Sequence, residues 1–348
     1  VSAESVDCVV LGAGPAGLRA AQVLAESGRE VVVLEKKAAI GPKTCAGGLT
    51  AKSVAELVPL GLPLEATFAS VGHVRFGGEP CTALDAELAL VRTISRAALG
   101  RMQAEWASAA GAEIRSGTPV HGVDIDRHEV STERGTIRYR HLIGADGSDS
   151  AVRRALHLRS PRACVAAEFN VPGVRLAPLR IECDEPALAN GYFWVFPHAD
   201  YTSVGAAVPK DMIPPRHLRP YIARRAEALG TAVNGVPFEA ATLEVEYCGL
   251  HFPGGVHLAG DAAGAASSLT AEGIYAALVT GEEVARGIVE PAYPAPKTRR
   301  WLTVKARHDR LMRRLRARWA RALTIGALSA LVRVPPARRP LARWFVDG

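Results

Sequence analysis

A chain of 348 residues, 48% of them apolar, has room for about two to three domains and for a sizeable core. Its six cysteines (Cys8, Cys45, Cys81, Cys164, Cys183 and Cys248) form no CxxC pair and no metal-ligand spacing; they read as reduced thiols of a cytoplasmic protein, with no metal site expected. The net charge of +7 is concentrated between Lys297 and Arg321, where eleven Lys and Arg meet one acid, Asp309, and no DNA- or RNA-binding motif supports nucleic acid as a partner. No uncharged apolar run reaches the ~20 residues that cross a bilayer.

The first apolar run, Val6 to Leu11, leads straight into a glycine turn, so it reads as a buried strand rather than a signal peptide. Gly12-Ala13-Gly14-Pro15-Ala16-Gly17 is a GxGxxG turn, Leu18 to Ser27 is helical in composition, and Val31 to Leu34 is a second strand with Glu35 at its end. Gly12 permits the tight turn, Gly14 lets backbone N–H groups approach a pyrophosphate, and Gly17 lets helix and strand pack closely. The anion would sit on the helix N-terminus, and Glu35 would accept hydrogen bonds from ribose hydroxyls. An ordinary strand-turn-helix does not account for that acid.

A glycine-rich loop, Gly41 to Thr50, carries Cys45. A helix is expected from about Ser95 to Ala110, then a strand at Ala112–Arg115 and a β-meander over Val120–Tyr139. Leu142-Ile143-Gly144-Ala145-Asp146-Gly147 is again an apolar strand and a turn. From about Pro161 to Gly255, frequent prolines separate short β-rich runs, with one helix near Arg216–Leu229. Within it, Tyr192, Trp194 and Phe196 alternate onto one face of a strand, and Phe193 and Val195 onto the other. Three aromatics on one face are either core or the wall of an apolar pocket. Gly255–Ala259 then reads as a strand, Gly260-Asp261 as a turn, and a helix runs to about Val289 with Thr270 as a candidate N-cap. From Lys297 to Arg333 apolar residues step by three or four against an arginine-rich face, as in an amphipathic helix. That helix either packs on the body or docks on an anionic membrane; the expected location is cytoplasmic, with peripheral membrane contact as the second reading.

Together, Gly12–Gly17, Asp146-Gly147 and Gly260-Asp261 resemble the three fingerprints of the group A, para-hydroxybenzoate hydroxylase-like FAD-dependent oxidoreductases. Within that superfamily the Cys45-Ala46-Gly47-Gly48 loop, the Tyr192-Phe193-Trp194-Val195-Phe196-Pro197 strand and the Leu269–Ile274 segment resemble the geranylgeranyl reductase family, over roughly residues 5–290. The resemblance implies an α/β fold: a Rossmann-like FAD-binding domain of the glutathione reductase type (residues 1–160 and 256–296), an inserted, mainly β substrate domain (161–255) and a basic amphipathic C-terminal helical segment (297–348).

The resemblance further implies FAD as cofactor. Gly12, Gly14 and Gly17 would face its pyrophosphate, Glu35 its adenosine ribose, and Asp261 its ribityl and phosphate region. Arg92 would contact it at the start of the long helix, Gly273 and Ile274 would meet the flavin C2 carbonyl and N1, and Asp146 and Gly147 would close the site. Pro15, Ala16, Lys36, Cys45, Ala46, Gly47, Val120 and Gly260 complete the implied cofactor set. Tyr192, Trp194, Phe196 and Pro197 would meet the substrate, with Cys45, Tyr192 and Trp194 as the implied catalytic group. Cys45 is either a flavin-side residue, donating a proton or moving with the flavin's redox state, or a small buried hydrophobe, and Tyr192 either a rival acid or a packing residue with its hydroxyl on a backbone group. One departure stands out: the family commonly has Phe-Asp where this chain has Ser95-Arg96.

The implied reaction is reduction of carbon–carbon double bonds in an isoprenoid chain. NAD(P)H or a ferredoxin-like protein would be the electron donor; no second nucleotide fold is visible, so a nicotinamide would visit transiently. The alternatives on the same fold are a monooxygenase (hydroxylase or halogenase) and a quinone-linked electron-transfer dehydrogenase, with a non-enzymatic flavin-binding module more remote.

Overall fold

A computed structural model describes residues 4–70, 72–76, 79–80, 91–159, 162–183, 185–338 and 340–341. Cys81, Pro161 and the expected boundary between residues 160 and 161 lie outside the described residues. The fold is mixed α/β, with a Rossmann-like parallel sheet, a second sheet of mostly antiparallel strands and helices at the C-terminal end.

The first sheet is built on Glu4–Leu11, whose last residues are fully or nearly fully buried. A strand covered on both faces needs such a continuous apolar run. It lies between two parallel neighbours, so that Leu11 stands opposite both Leu34 of Val31–Leu34 and Gly144 of Gly135–Gly144. Gly135–Gly144 in turn pairs in parallel with Val256–Leu258. Three adjacent parallel strands therefore end at one edge, and each is followed by one of the glycine turns. Backbone bonds hold the turns side by side: Gly12 N–H donates to Leu34 O, Ala145 N–H to Leu11 O and Ala259 N–H to Gly144 O, at 2.8–2.9 Å. In open α/β sheets ligands bind at such carboxyl ends. The expected meander is present as Val120–Asp124, Glu129–Thr132 and Gly135–Gly144, paired antiparallel.

The second sheet runs Phe238–Glu244, Ala163–Pro172, Tyr201–Pro209, Tyr192–Pro197, Leu179–Cys183, Gly72–Phe76, Glu79–Pro80. Phe193 and Val195 are buried with Leu218, Tyr221 and Ile222 of the helix Leu218–Ala228, and Tyr192, Trp194 and Phe196 point to the opposite face. The alternation read from sequence holds, and the domain limits differ. Gly72–Phe76, grouped from sequence with the first domain, pairs in parallel with Leu179–Cys183 and belongs to the second sheet. A parallel partner this distant in sequence leaves no local turn signal.

Two helix expectations also change. Thr270 is not an N-cap: the helix Ile274–Val289 begins after Gly273, because Ala271 takes a left-handed φ of 51° and turns the chain first. The tail is two helices, Pro296–Arg314 and Arg318–Val332, not one. Trp301, Lys305 and His308 of the first are buried against the body. No helix among the described residues is long and apolar enough to cross a membrane.

Candidate active site

The glycine turns, the Cys45 loop and the aromatic face of the second sheet enclose one cleft with about 1480 Å³ of empty space, counting the part open to solvent. At one end lies the first turn. A Cβ on Gly17 would stand 2.0 Å from Gly12 O, so only glycine lets the helix Pro15–Glu26 begin there. That helix has no side-chain cap, and Gly14, Pro15 and Ala16 line the cleft, leaving the N-terminal N–H groups for an anion. Gly12 and Gly17 shape this cradle from behind. Glu35 braces it: its carboxylate accepts from Ala13 N–H at 2.8 Å and Lys37 N–H at 2.9 Å. Lys36 is exposed beside it, and Val120 packs on the core behind it, two residues beyond Thr118, whose N–H donates to Glu35 O. Neither lines the cleft.

The second and third turns divide the work. Gly147 lines the cleft; Asp146 does not, since its Oδ2 accepts from Ala151 N–H at 2.7 Å while Oδ1 is buried with no hydrogen-bond partner among the described residues. Burial pushes the Asp146 carboxyl up from its ordinary value. Gly260 and Asp261 line the cleft, and Asp261 Oδ2 pairs with Lys43 Nζ at 3.0 Å. Opposite, Gly273 and Ile274 bring a second uncapped helix N-terminus to the cleft. Two helix dipoles thus favour negative charge inside it.

The first tail helix braces the loop before this second N-terminus. Ser267 Oγ accepts from Leu269 and Thr270 N–H, so its own proton goes to His308 Nδ1 at 2.8 Å. Trp301 Nε1–H donates to Ala265 O at 2.8 Å, and Ser268 Oγ–H to Asp309 Oδ1 at 2.5 Å.

The apolar wall is Tyr192, Trp194 and Phe196 with Val91, Ile181 and Ala207. The indole of Trp194 lies flat where Gly205 has no side chain; a Cβ there would be 2.2 Å from Trp194 Cζ2. The Tyr192 hydroxyl donates to Thr270 O at 2.9 Å, and burial pushes it well above the usual phenol range. Pro197 stays behind the wall, its carbonyl accepting from Thr93 Oγ1.

Cys45 and Ala46 line the cleft at the end of this wall, and Gly47 backs the loop. Cys45 N–H donates to Glu168 Oε1 at 2.8 Å, and His198 Nε2–H donates to Ala46 O at 3.0 Å. Glu168 and His198 are buried; burial raises the carboxyl of the first and pushes the imidazole of the second down to about 4. Sequence reasoning missed both. The signal for Glu168 was a lone acid inside the apolar run of its strand; His198 left none beyond following Pro197.

Arg92 turns away from the cleft, donating to Thr67 Oγ1 at 2.5 Å and Leu64 O at 3.1 Å. Arg96, four residues on, lines the cleft instead. It is 7% exposed, and its Nε and Nη1 have no hydrogen-bond partner among the described residues. The Ser95-Arg96 departure was the sequence signal for it. An unsatisfied buried guanidinium is costly, so an anion in the cleft beside Arg96 would be favoured. Two uncapped helix ends, Arg96 and an open side at Gly14 fit a ligand with a charged pyrophosphate and a ring that carries negative charge when reduced. The residues present fit FAD.

Comparison with known proteins agrees. The FAD binding domain family matches residues 5–290. A digeranylgeranylglycerophospholipid reductase of Methanopyrus kandleri is 30% identical over 82% of this chain and 80% of its own length. Among solved structures, a geranylgeranyl bacteriochlorophyll reductase-like protein of Thermoplasma acidophilum superposes with a TM-score of 0.76 at 21% identity, covering 98% of this chain and 96% of that one. The p-nitrophenol 4-monooxygenase of Pseudomonas putida shares the fold with a TM-score of 0.74 at 18% identity and 99% coverage of both chains. The chain belongs to the FAD binding domain family of flavin-dependent oxidoreductases and, within it, to the family of the digeranylgeranylglycerophospholipid reductases.

Proposed function

We propose that this enzyme reduces carbon–carbon double bonds in the isoprenoid chain of a lipid. The carrying observation is the apolar wall of Tyr192, Trp194 and Phe196, which faces an uncapped helix N-terminus across one cleft and ends at Cys45. When bound and reduced, FAD supplies a hydride to one alkene carbon and returns to its oxidised form. The residues of the chain must do the rest. An isolated alkene has no carbonyl to polarise, so the site has to hold the chain against the flavin face, exclude water and bring a proton to the second carbon.

The aromatic wall serves the first two tasks. Cys45 is the proton donor in this reading, because it lines the cleft and its backbone is clamped by Glu168. Tyr192 serves as wall and strap, since its own proton is directed at Thr270 O. The two uncapped helix N-termini at Gly14 and Gly273, with Arg96 beside them in the lining, would hold the cofactor's negative charge. Two electrons per bond come from a nicotinamide that visits the flavin or from a ferredoxin-like protein.

Peripheral docking on an anionic membrane is part of the proposal. It is supported by exposed Trp319 and Leu323 on the second tail helix, with exposed Arg318 preceding Trp319 in the same helix and exposed Arg313 and Arg314 at the end of the first. Exposed apolar and cationic groups close together in the chain suit an anionic interface, where a lipid substrate resides.

The test is anaerobic photoreduction of the FAD-loaded protein followed by mixing with geranylgeranyl lipids. Reoxidation without oxygen supports the reductase; reoxidation only when oxygen is admitted with substrate assigns a monooxygenase.

A further inference from the structure

Two of the residues that line the cleft hang on one carboxylate that does not. Glu168 lies in the middle of Ala163–Pro172 and is 0% exposed. Its Oε1 accepts from Cys45 N–H at 2.8 Å, and its Oε2 accepts from Ser203 Oγ–H at 2.7 Å. Ser203 Oγ accepts in turn from Trp194 Nε1–H at 2.9 Å. An indole N–H can only donate, and a hydroxyl has a single proton. The chain of bonds therefore runs in one direction, from Trp194 through Ser203 to Glu168, and from the opposite side from Cys45 to Glu168. Both run into the carboxylate as acceptor.

A carboxylate buried among strands costs several kcal/mol unless its bonds are made, and an apolar residue of similar size commonly serves stability as well or better. A role in the core alone gives no reason for it. Its two partners do: Cys45 belongs to the loop of the cofactor-binding part, and Trp194 to the wall of the second sheet. The distance between loop and wall is the space left for a chain lying between them.

We propose that Glu168 is a positioning residue of this site, holding the Cys45 backbone and, through Ser203, the Trp194 indole in fixed register with each other. The proposal rests on the reading of the cleft as an isoprenoid reductase. Without Glu168 the loop keeps its Ala46–His198 bond, but Cys45 and Trp194 lose their common anchor, while the pyrophosphate cradle at Gly14–Ala16, built on other elements, is untouched.

The experiment uses the FAD-loaded protein and three variants, Glu168→Leu, Glu168→Gln and Ser203→Ala. Three quantities are measured: FAD content, the rate at which N-ethylmaleimide labels Cys45 relative to the other cysteines by peptide mapping, and anaerobic reoxidation of the photoreduced protein by geranylgeraniol in detergent micelles. Glu168→Leu removes both acceptors; it should keep FAD, raise relative Cys45 labelling at least fivefold and raise the half-saturating geranylgeraniol concentration at least tenfold. Glu168→Gln retains an acceptor for Cys45 N–H, so labelling should return to within about twofold of the wild type. Ser203→Ala cuts only the Trp194 branch, so it should leave Cys45 labelling unchanged and raise half-saturation at least threefold. Unchanged labelling and half-saturation in Glu168→Leu overturn the proposal, and so does a uniform rise in labelling of every cysteine, which marks general loosening. If Glu168→Leu does not fold, unchanged half-saturation in both other variants overturns it. Failure of the wild type to react with geranylgeraniol overturns the reductase reading and leaves the labelling arm to decide the role of Glu168.

Discussion

The hydroxyl of Tyr192 donates to the carbonyl of Thr270 at 2.9 Å, tying the aromatic wall of the second sheet to the loop that leads into the helix Ile274–Val289. The tyrosine proton is thereby committed to a backbone oxygen, and burial holds the hydroxyl far from ionisation. Tyr192→Phe keeps the ring and loses the strap. We expect a stability loss of about 1–3 kcal/mol from the unsatisfied carbonyl, with the limiting rate of anaerobic flavin reoxidation staying within about tenfold of the wild type. A loss of roughly a thousandfold in that rate would instead make Tyr192 the acid.

Gly14 and Gly17 separate cofactor binding from folding. A Cβ on Gly14 meets nothing within 4 Å among the described residues, whereas one on Gly17 meets Gly12 O at 2.0 Å. Gly14→Ala should fold with the wild-type Tm and bind FAD at least tenfold more weakly, because its methyl group enters the space reserved for the pyrophosphate. Gly17→Ala should lose both fold stability and FAD. Thermal melts of the FAD-free proteins and FAD titrations of each distinguish the two.

Trp301 and Trp319 sit on successive tail helices with opposite fates. Trp301 is 2% exposed, donates to Ala265 O and stacks edge-on to Tyr275, while Trp319 is 72% exposed. Trp301→Ala should cost about 3–5 kcal/mol. Trp319→Ala should leave stability within about 0.5 kcal/mol and weaken binding to vesicles of anionic lipid. Binding of the wild type should also fall as salt shortens the Debye length from about 10 Å at 0.1 M to 3 Å at 1 M. Equal binding to neutral vesicles at high salt would dismiss electrostatic docking.

His308 couples the tail to pH. Because Ser267 donates to its Nδ1, the ring is held neutral, and burial, reinforced by Lys52 and Lys305 against Asp309, pushes its pKa down to about 4. The unfolded chain takes up that proton near pH 6.5, so the contribution is complete above 6.5 and is lost as pH falls toward 4. His308→Asn keeps an acceptor for Ser267 and removes the titration. Urea melts between pH 7 and 4 should show the wild type losing up to roughly 3 kcal/mol more than the variant. Parallel pH dependence of the two proteins would refute the assignment.

Cys45→Ala leaves the backbone N–H that Glu168 accepts and removes only the thiol. FAD content should be unchanged, and single-turnover reoxidation by a geranylgeranyl lipid should fall by about 10² to 10⁴, the usual worth of a positioned proton donor. Full turnover in a variant with bound FAD would return the thiol to a packing role.

Much of the cofactor end was legible because its signals are local. A β-branched strand, a GxGxxG turn and Glu35 lie within a few dozen residues, and Gly17 answers a steric demand from Gly12, five residues before it. The alternation of Tyr192 to Pro197 is equally local, and the structure keeps it: one face in the core under Leu218–Ala228, the other on the cleft. The single tail helix misled, since the three-to-four spacing continues across the turn at Leu315–Ala317.

What the sequence determined by itself is therefore the dinucleotide turn, the two later Gly-Asp and Asp-Gly turns and the two-faced aromatic strand, all set by short-range sterics and periodicity. Only the tertiary structure decided that Arg96 rather than Arg92 faces the cleft, that Glu168 and His198 clamp the Cys45 loop, and that His308 braces the second helix N-terminus. These partners lie 123, 152 and 41 residues apart for Cys45–Glu168, Ala46–His198 and Ser267–His308. A buried polar side chain is placed by whichever unsatisfied group the folded sheets bring to it, and that partner has no fixed spacing along the chain.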